Sequence, residues 1–205
     1  MRHSGKVKNK SIFWEKKYSM GTTSDAYFNE LLNRYRANFD ITEDYALGER
    51  IYAAYARFFS LGEKYVLKKE AKLWSIRAYE HVLFIKTKSI DLNLIEEIKH
   101  TMEQDMEPLM VRKGEKYPEK DHMCSYLSFV IISETTPSPE VQKAIRRFRF
   151  DKGYLMNFRG HSEGKLGCVF LDSRTSLTNY AAKELKPLFT NIFTSLKGNK
   201  EEKVS

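Results

Sequence analysis

MCSYLSFVIIS, residues 123–133, is a nearly uninterrupted apolar run in the second half of a 205-residue chain. It is too short to cross a bilayer as a helix, which takes about 20 apolar residues. Side chains of a strand alternate between the two faces of a sheet, so a strand that is apolar at nearly every position is buried on both faces. We therefore predict a central strand over residues 123–133, in a sheet covered on both sides.

The residues after this run predict a helical crossover. Ser138 can cap a helix and Pro139 suits its first position, and the apolar residues over 139–148 follow a helical period. A further strand is predicted over 153–159. Strand, helix and strand in this order are typical of a right-handed βαβ unit.

GHSEG at residues 160–164 fits the G-x-S-x-G pattern of the nucleophile elbow in α/β-hydrolases. That elbow leads from a strand into a helix, because the turn must lift the serine above the sheet. Here the strand-like segment 165–172 follows instead, and no histidine comes after His161 to act as the base. The sequence thus predicts a hairpin loop between strands 153–159 and 165–172, and the hydrolase interpretation fails.

Upstream of the central strand, the chain predicts two long helices around a three-stranded meander. Apolar residues recur with a helical period over 22–39 and 89–109. Between the helices we expect antiparallel strands over residues 52–59, 64–75 and 79–86. The Gly-containing segment 60–63 is predicted as the turn between the first two strands.

Proline residues set the expected ends of two helices. In the helix over 89–109, Leu109 is expected on the apolar side and Glu107 among the charged residues of the other sides. Pro108 is expected to end this helix or lie in its last turn. A last helix is predicted over 179–196, with Pro187 as a kink or break.

The predicted fold is α+β, a mixed β-sheet flanked by helices, with the element order α-β-β-β-α-β-α-β-β-α. Residues 20–196 are expected to form a single domain. The basic segment 1–19 is expected to be a disordered leader, either native or an appendage, and 197–205 a disordered tail.

Charge and cysteine content narrow the classes of function. The net charge of +8 comes mainly from residues 1–17, which carry six basic side chains against one acidic, so the body of the chain lacks a general footprint for nucleic acid. Contact of this leader with nucleic acid stays open but is not favoured over disorder. Cys124 and Cys168 lie in apolar runs and are expected to be buried free thiols. With no secretory signal and no membrane span in the sequence, we expect a cytoplasmic protein.

Glu70-Ala71-Lys72 is an acidic-x-Lys triplet of the kind that many nucleases place on a strand. The first six elements are similar in order to the core of the restriction-endonuclease-like fold. That resemblance implies a metal-dependent nuclease with Glu70 as a metal ligand and Lys72 at the attacked phosphate. The preceding strand, over residues 52–59, contains no acidic residue to share the metal. The triplet is therefore better explained as the charged face of a strand, and the nuclease is kept as the alternative.

Histidine spacing gives no stronger case for a metal. Glu97–His100 and Glu119–His122 each have the Glu-x-x-His spacing of di-metal helical bundles, but this chain is too rich in strands for such a bundle. We expect no metal site and no cofactor.

Aromatic residues are dense on the predicted meander. Cross-strand aromatic pairs ordinarily stabilise a sheet. Where such rings stay exposed beside basic residues, they form a platform for a peptide or a single-stranded nucleic acid. The candidate binding residues are Tyr55, Arg57, Trp74 and Arg77.

Four segments carry a family resemblance: DYALGERIYAAYARFFSLGEKYVLKKEAKLW (44–74), HMCSYLSFVII (122–132), PEVQKAIRRFRFDKGYLMNFRG (139–160) and VFLDSRTSLTN (169–179). They resemble an uncharacterised cytoplasmic domain family of Firmicute bacteria, a domain of unknown function, over about residues 22–180. The resemblance implies no catalytic residues and no fixed acidic-x-Lys triplet. Taken together, the sequence predicts a non-enzymatic binding domain that acts through a protein partner or as a homodimer.

Overall fold

The computed structural model describes residues 22–64 and 74–201. The predictions for the basic leader, for Glu70 and for Lys72 fall outside the described residues. So does most of the strand predicted over 64–75.

Within the described residues, a seven-stranded mixed sheet lies between helices on both faces, which confirms the predicted α+β class and the order of elements. The strands are β1 (Asp40–Leu47), β2 (Arg50–Lys64), β3 (Trp74–Thr87), β4 (His122–Ser133), β5 (Asp151–Gly153), β6 (His161–Phe170) and β7 (Thr175–Thr178). The α-helices are α1 (Thr22–Tyr35), α2 (Leu92–Thr101), α3 (Pro139–Arg147) and α4 (Leu185–Glu201).

The sheet joins an antiparallel half to a parallel half. β1, β2 and β3 form an antiparallel meander, and β3, β4 and β6 then run parallel. The short strands β5 and β7 share the outer edge of β6, where both pair antiparallel. α2 connects β3 to β4, and α3 lies between β4 and the β5–β6 hairpin, so each parallel pair has a helical crossover.

The prediction of a central strand is confirmed by β4, which is paired on both edges and buried on both faces. On one face, Phe129 and Ile131 pack in a core with residues of α2 and α3. On the other face, Val130 and Ile132 pack in a second core with residues of α1 and α4. Ser138 caps α3 as predicted, accepting a hydrogen bond from the Val141 amide.

The strands of the meander lie at different positions in the sequence from those predicted. Its first strand is β1, which the sequence did not predict, and β2 continues through residues 60–63 to Lys64. The predicted turn at 60–63 is therefore wrong: Gly62 pairs with Ile76 inside the β2–β3 ladder. Cross-strand pairing overrides the turn preference of a single glycine here.

The helix predicted over 89–109 changes type halfway. α2 ends at Thr101, and the chain continues as a π-helix over Met102–Val111 that contains Pro108. In a π-helix each backbone amide bonds to the carbonyl five residues back rather than four, which widens each turn. The hydrogen bond of 3.1 Å from the Arg112 amide to the Glu107 carbonyl is of this kind. The change rotates Glu107 into the core and leaves Leu109 exposed, which reverses the predicted sides of both residues.

The region around GHSEG is built differently from the predicted hairpin. β5 ends at Gly153, and residues 154–159 form turns rather than the strand predicted over 153–159. β6 begins at His161, so most of GHSEG lies inside a strand rather than in a loop.

The end of the chain contains one further strand and a broken helix. β7 precedes a 3-10 turn over Tyr180–Ala182, after which α4 begins at Leu185. The predicted break at Pro187 thus falls a few residues earlier, and Pro187 lies in the first turn of α4, where a missing amide hydrogen costs little.

Candidate functional site

The structure places two of the four predicted binding residues with their side chains. The hydroxyl of Tyr55 lies 2.6 Å from Nδ1 of His81. Arg57 is exposed and forms an ion pair of 3.4 Å with Asp40 of the neighbouring strand β1. Trp74 and Arg77 are placed by their backbone in β3, and their side chains are outside what is described. The binding role of these residues stays a prediction.

Tyr55 belongs to a row of rings that crosses four strands. The members of this ring row are Tyr45 on β1, Tyr55 on β2, His81 and Tyr79 on β3, and His122 on β4. Neighbouring ring centroids are 4.4 to 6.3 Å apart, and the ring planes are within 26° of parallel. Such contacts each add roughly 0.5–1.5 kcal/mol to packing.

The ring row is partly covered rather than open. Met110, Val111 and Lys113, from the end of the π-helix and the turn after it, line a small cavity with Tyr79 and His122. The described aromatic side chains of β2 and β3 divide as follows: Phe59 is exposed, Tyr55, Phe58 and Tyr79 are half-buried, and Tyr52 and Phe84 are buried. The row therefore serves mainly to pack the sheet against its covering segment.

His122, at the end of the row, holds a loop in place. Its Nδ1 lies 2.9 Å from the carbonyl oxygen of Arg159, and because a carbonyl can only accept, Nδ1 carries the proton. Nε2 of the neutral ring then accepts from Ser125, at 2.9 Å. Burial lowers the pKa of His122, so this neutral form is favoured. In hydrolases a nucleophilic serine donates to a histidine in the same way. Ser125 is only 1% exposed, so a substrate would not reach it and the pair is structural.

Glu107 forms a second buried polar network beside it. Its carboxylate accepts hydrogen bonds from Arg112 at 2.7 Å, Lys152 at 2.8 Å and the Tyr154 hydroxyl at 3.0 Å. Tyr154 in turn accepts from Ser162, the serine of GHSEG, at 2.8 Å. Burial alone would raise the pKa of Glu107, but the three donors outweigh burial and lower it. The carboxylate is therefore an ion that orders its neighbours.

Both networks converge on the loop of residues 154–160. Tyr154 is buried at its start, and the Arg159 carbonyl is bound by His122 near its end. The Arg159 guanidinium also donates to the Pro118 carbonyl, at 2.9 Å. Backbone bonds from Tyr154 to Gly160 and from Arg159 to Tyr154, at 3.0 and 3.1 Å, close the loop on itself.

The backbone of this loop is strained. Leu155, Met156 and Asn157 have φ angles of 48°, 53° and 69°. The left-handed region costs a residue with a side chain about 1–2 kcal/mol, and asparagine tolerates it best. A strained backbone that its surroundings hold in place points to a functional segment.

Large apolar side chains are exposed on the same loop. Met156 and Phe158 are each 85% exposed, and Leu155 is 42% exposed. Met123, whose backbone lies against Gly160 at the end of the loop, is exposed as well. We call Met123, Leu155, Met156 and Phe158 the tip surface. Its chemistry is that of apolar contact, because its exposed side chains carry no acid, base or nucleophile.

A family model for a domain of unknown function, DUF8052, matches residues 23–191. The chain belongs to this family. No curated protein and no solved structure shows significant similarity to the chain. The match runs from α1 into α4, so the ring row, both buried networks and the tip surface all lie inside the DUF8052 domain.

Other predicted features of the DUF8052 domain can be placed as well. Cys124 and Cys168 are buried free thiols, as predicted. Across the described residues, no cluster of three or more His, Cys, Asp or Glu side chains is arranged to hold a metal. In the same part of the chain, no helix is both long and apolar enough to cross a membrane.

Sequence reasoning missed the tip surface of the DUF8052 domain because YLMNFRG was assigned to a strand. It begins with three apolar residues and contains two aromatic rings, which favours a strand. The available signals for a turn were Asn157 and Gly160, both tolerant of positive φ. Glu107 and His122, which hold the loop, gave no signal because their partners are distant in sequence.

His81 should give the DUF8052 domain a pH-dependent stability. Burial, with Arg57 and Lys113 adding to it, lowers the pKa of His81 to about 4, whereas an unfolded chain takes up the proton near pH 6.5. The contribution of neutral His81 is therefore complete above pH 6.5 and is lost as the pH falls toward 4.

Urea unfolding of wild type and His81→Phe, followed from pH 8 to pH 4, measures this effect. We expect parallel profiles above pH 7 and a steeper loss for the wild type below pH 6.5. Identical slopes throughout the range would show that His81 does not titrate differently in the folded state.

Proposed function

We propose that the chain is a non-enzymatic binding domain that docks a protein partner through the tip surface. The observation that carries this is the pair Met156 and Phe158, each 85% exposed on a loop that two buried networks hold in a strained form. Exposing apolar side chains to water costs free energy, and so does the left-handed backbone. A partner that covers both side chains would recover the first cost and bind an already ordered loop.

The expected partner presents an apolar recess. The tip surface carries a few large, exposed side chains, and such side chains act as anchors when a pocket on the partner takes them in. Lys152 precedes the loop and Arg159 lies near its end, and these two cations suit an acidic rim on the partner.

Met156→Ser combined with Phe158→Ser tests the docking surface. The full chain with a photo-crosslinker at position 156 identifies the partner in native cells, and binding is then measured with both purified proteins. We expect the double variant to weaken binding at least about tenfold, as for anchor residues of interfaces. Its thermal midpoint should stay close to that of wild type, because both side chains are exposed.

Ile51→Ser combined with Tyr180→Ser is the matched control, since these residues are 73% and 78% exposed on other parts of the molecule. Equal weakening by both double variants would contradict docking at the tip surface. Sedimentation of the wild type alone distinguishes a second copy from another partner: a dimer that only the tip variant dissociates makes the partner this chain itself.

The alternative, a metal-dependent nuclease using Glu70 and Lys72, makes an opposite prediction. Incubation of the purified chain with DNA and RNA in Mg²⁺ or Mn²⁺ should leave both intact. Cleavage that disappears in Glu70→Gln would replace the binding proposal. Glu80, a candidate on the following strand to share a metal with Glu70, is already bound by Lys165 and Ser128 at 3.4 and 2.8 Å.

We further propose a bacterial cytoplasmic setting, as in the Firmicute family that the sequence resembles. Two buried free thiols are consistent with a reducing compartment.

A further inference from the structure

A cleft opens on the sheet face opposite the ring row, between α1 and α4. Its walls are the end of α1 with the residues that follow it, Tyr35 and Phe39, and the start of α4, with Leu185 and Leu188. Its cavity volume is about 240 Å³. Pockets for drug-sized ligands have volumes of about 300–1,000 Å³ and combine apolar walls with a few polar groups. This cleft has the same kind of lining and suits a smaller molecule.

The floor of the cleft is an ion cluster built on three strands. Lys165 of β6 is 7% exposed. Its Nζ lies 2.7 Å from Glu184, 3.4 Å from Glu80 of β3 and 3.9 Å from the centroid of the Tyr126 ring on β4. Ser128 donates to the same Glu80 oxygen at 2.8 Å. Glu80 precedes His81 on β3, so the two side chains lie on opposite faces of the sheet.

Burying such a cluster contributes little to stability. Taking charges out of water costs several kcal/mol per ion, and apolar replacements of similar volume are often as stable. A buried lysine held at the floor of an open cleft is therefore better explained by binding than by folding. The pKa of Tyr35 is raised by burial and, to a smaller extent, by the negative charges of Glu80 and Glu184. The Tyr35 phenol therefore lies within the electric field of both carboxylates.

Glu184 differs from the other members of the cluster because its side chain is 50% exposed. It lies just before α4 and reaches Lys165 from the rim. In this position its carboxylate occupies the place on Lys165 that the carboxylate of a ligand would take. Moving it away exposes Lys165 to the cleft at a small cost, since a half-exposed carboxylate is readily solvated.

The lining is balanced in charge, with two cations and two carboxylates. Arg34 lies at the rim and Lys165 at the floor, and Glu80 and Glu184 oppose them. A lone anion would meet both carboxylates, and a lone cation would meet Lys165. A ligand that carries both charges on neighbouring atoms matches both sets.

We propose that this cleft binds a small zwitterion with an apolar body, namely a free α-amino acid. Its carboxylate replaces Glu184 on Lys165, its ammonium group pairs with Glu80 and the released Glu184, and its side chain packs on Phe39, Leu185 and Leu188. This site is independent of the tip surface, so either proposal can fail without the other.

Calorimetric titration of the full chain tests the ligand class. The probes are leucine and phenylalanine, with 4-methylpentanoate and 3-phenylpropanoate lacking the amine, and isoamylamine and phenethylamine lacking the carboxylate. We expect the amino acids to bind at least about tenfold more tightly than either set, because each lost group removes a charge-assisted hydrogen bond. Equal affinity for a set that lacks one group, or no binding of any probe, would overturn the proposal.

Two variants assign the contacts. Glu184→Gln should weaken amino-acid binding about tenfold and leave the deaminated acids unaffected or tighter. Lys165→Met should abolish amino-acid binding, and Glu184→Gln keeps the test valid if that variant does not fold. Glu97→Gln is the matched control, since Glu97 is a similarly exposed carboxylate paired with Arg50 at 3.0 Å outside the cleft. Glu184→Gln and Glu97→Gln with the same affinity as wild type would contradict the assigned site.

Discussion

Replacing Gly160 with alanine should lower the free energy of unfolding by about 3–4 kcal/mol. Gly160 has a φ of +74°, which an L side chain rarely adopts. A Cβ there would also lie deep inside van der Waals contact with the carbonyl of Met123, and 2.8 Å from the carbonyl oxygen of His122. Neither is the end of a flexible side chain, so β4 and the 154–160 loop would have to separate.

Gly114→Ala isolates the part of this cost that comes from φ alone. Gly114 has a φ of +82°, and a Cβ there would meet no atom within 4 Å. We expect a loss of about 1 kcal/mol for Gly114→Ala. Urea unfolding of both variants measures the difference, and equal losses would show that the loop does not approach β4 as closely as described.

Gly160→Ala also bears on the tip surface. Gly160 lies against His122 and Met123. His122 holds the loop through the Arg159 carbonyl, and Met123 belongs to the tip surface. A variant that pushes them apart should weaken partner binding together with stability, whereas Gly114→Ala should leave partner binding intact.

Patterns set by the burial of whole elements were readable from the sequence. The apolar run at 123–133 gave a central strand because only a strand covered on both faces takes apolar residues at nearly every position. The Ser138-Pro139 start of α3 was equally readable, since capping depends on residues a few positions apart.

Elements defined by distant partners were not readable. β1 is mostly exposed and carries Asp40, Glu43 and Asp44, so its composition resembles a loop until β2 pairs with it. The strand character of residues 60–63 likewise comes from their partners on β3 rather than from their own preferences.

The candidate site depends on two departures from regular geometry. The π-helix shifts the phase of the helical period, which moves Glu107 inward where a continuous α-helix would move it outward. The left-handed residues 155–157 end β5 early and turn Met156 and Phe158 outward. Periodicity assumes a constant number of residues per turn or per pleat, so neither departure is visible to it.

Glu107→Gln should lower the free energy of unfolding at pH 7 by about 2–3 kcal/mol. Glu107 is fully buried, and its carboxylate balances Arg112 and Lys152. A glutamine keeps one oxygen that can accept from Tyr154. Its NH₂ group replaces the other oxygen and faces Lys152, which is itself a donor. The loss falls short of that for a fully buried ion pair, because the side chains of Arg112 and Lys152 are 22% and 44% exposed and remain partly solvated.

The sign of the pH dependence follows from the lowered pKa of Glu107 in the folded chain. An unfolded glutamate titrates near pH 4.3, so the ionised carboxylate stabilises the fold above that pH, and this contribution is lost as the pH falls through the lower folded pKa. Wild type and Glu107→Gln should therefore differ most at neutral pH and converge in acid. Glu103→Gln, at an exposed position of the same π-helix, should change stability by less than about 0.5 kcal/mol at any pH. If Glu107→Gln were as mild as Glu103→Gln, the buried network could not be what holds the 154–160 loop in its strained form.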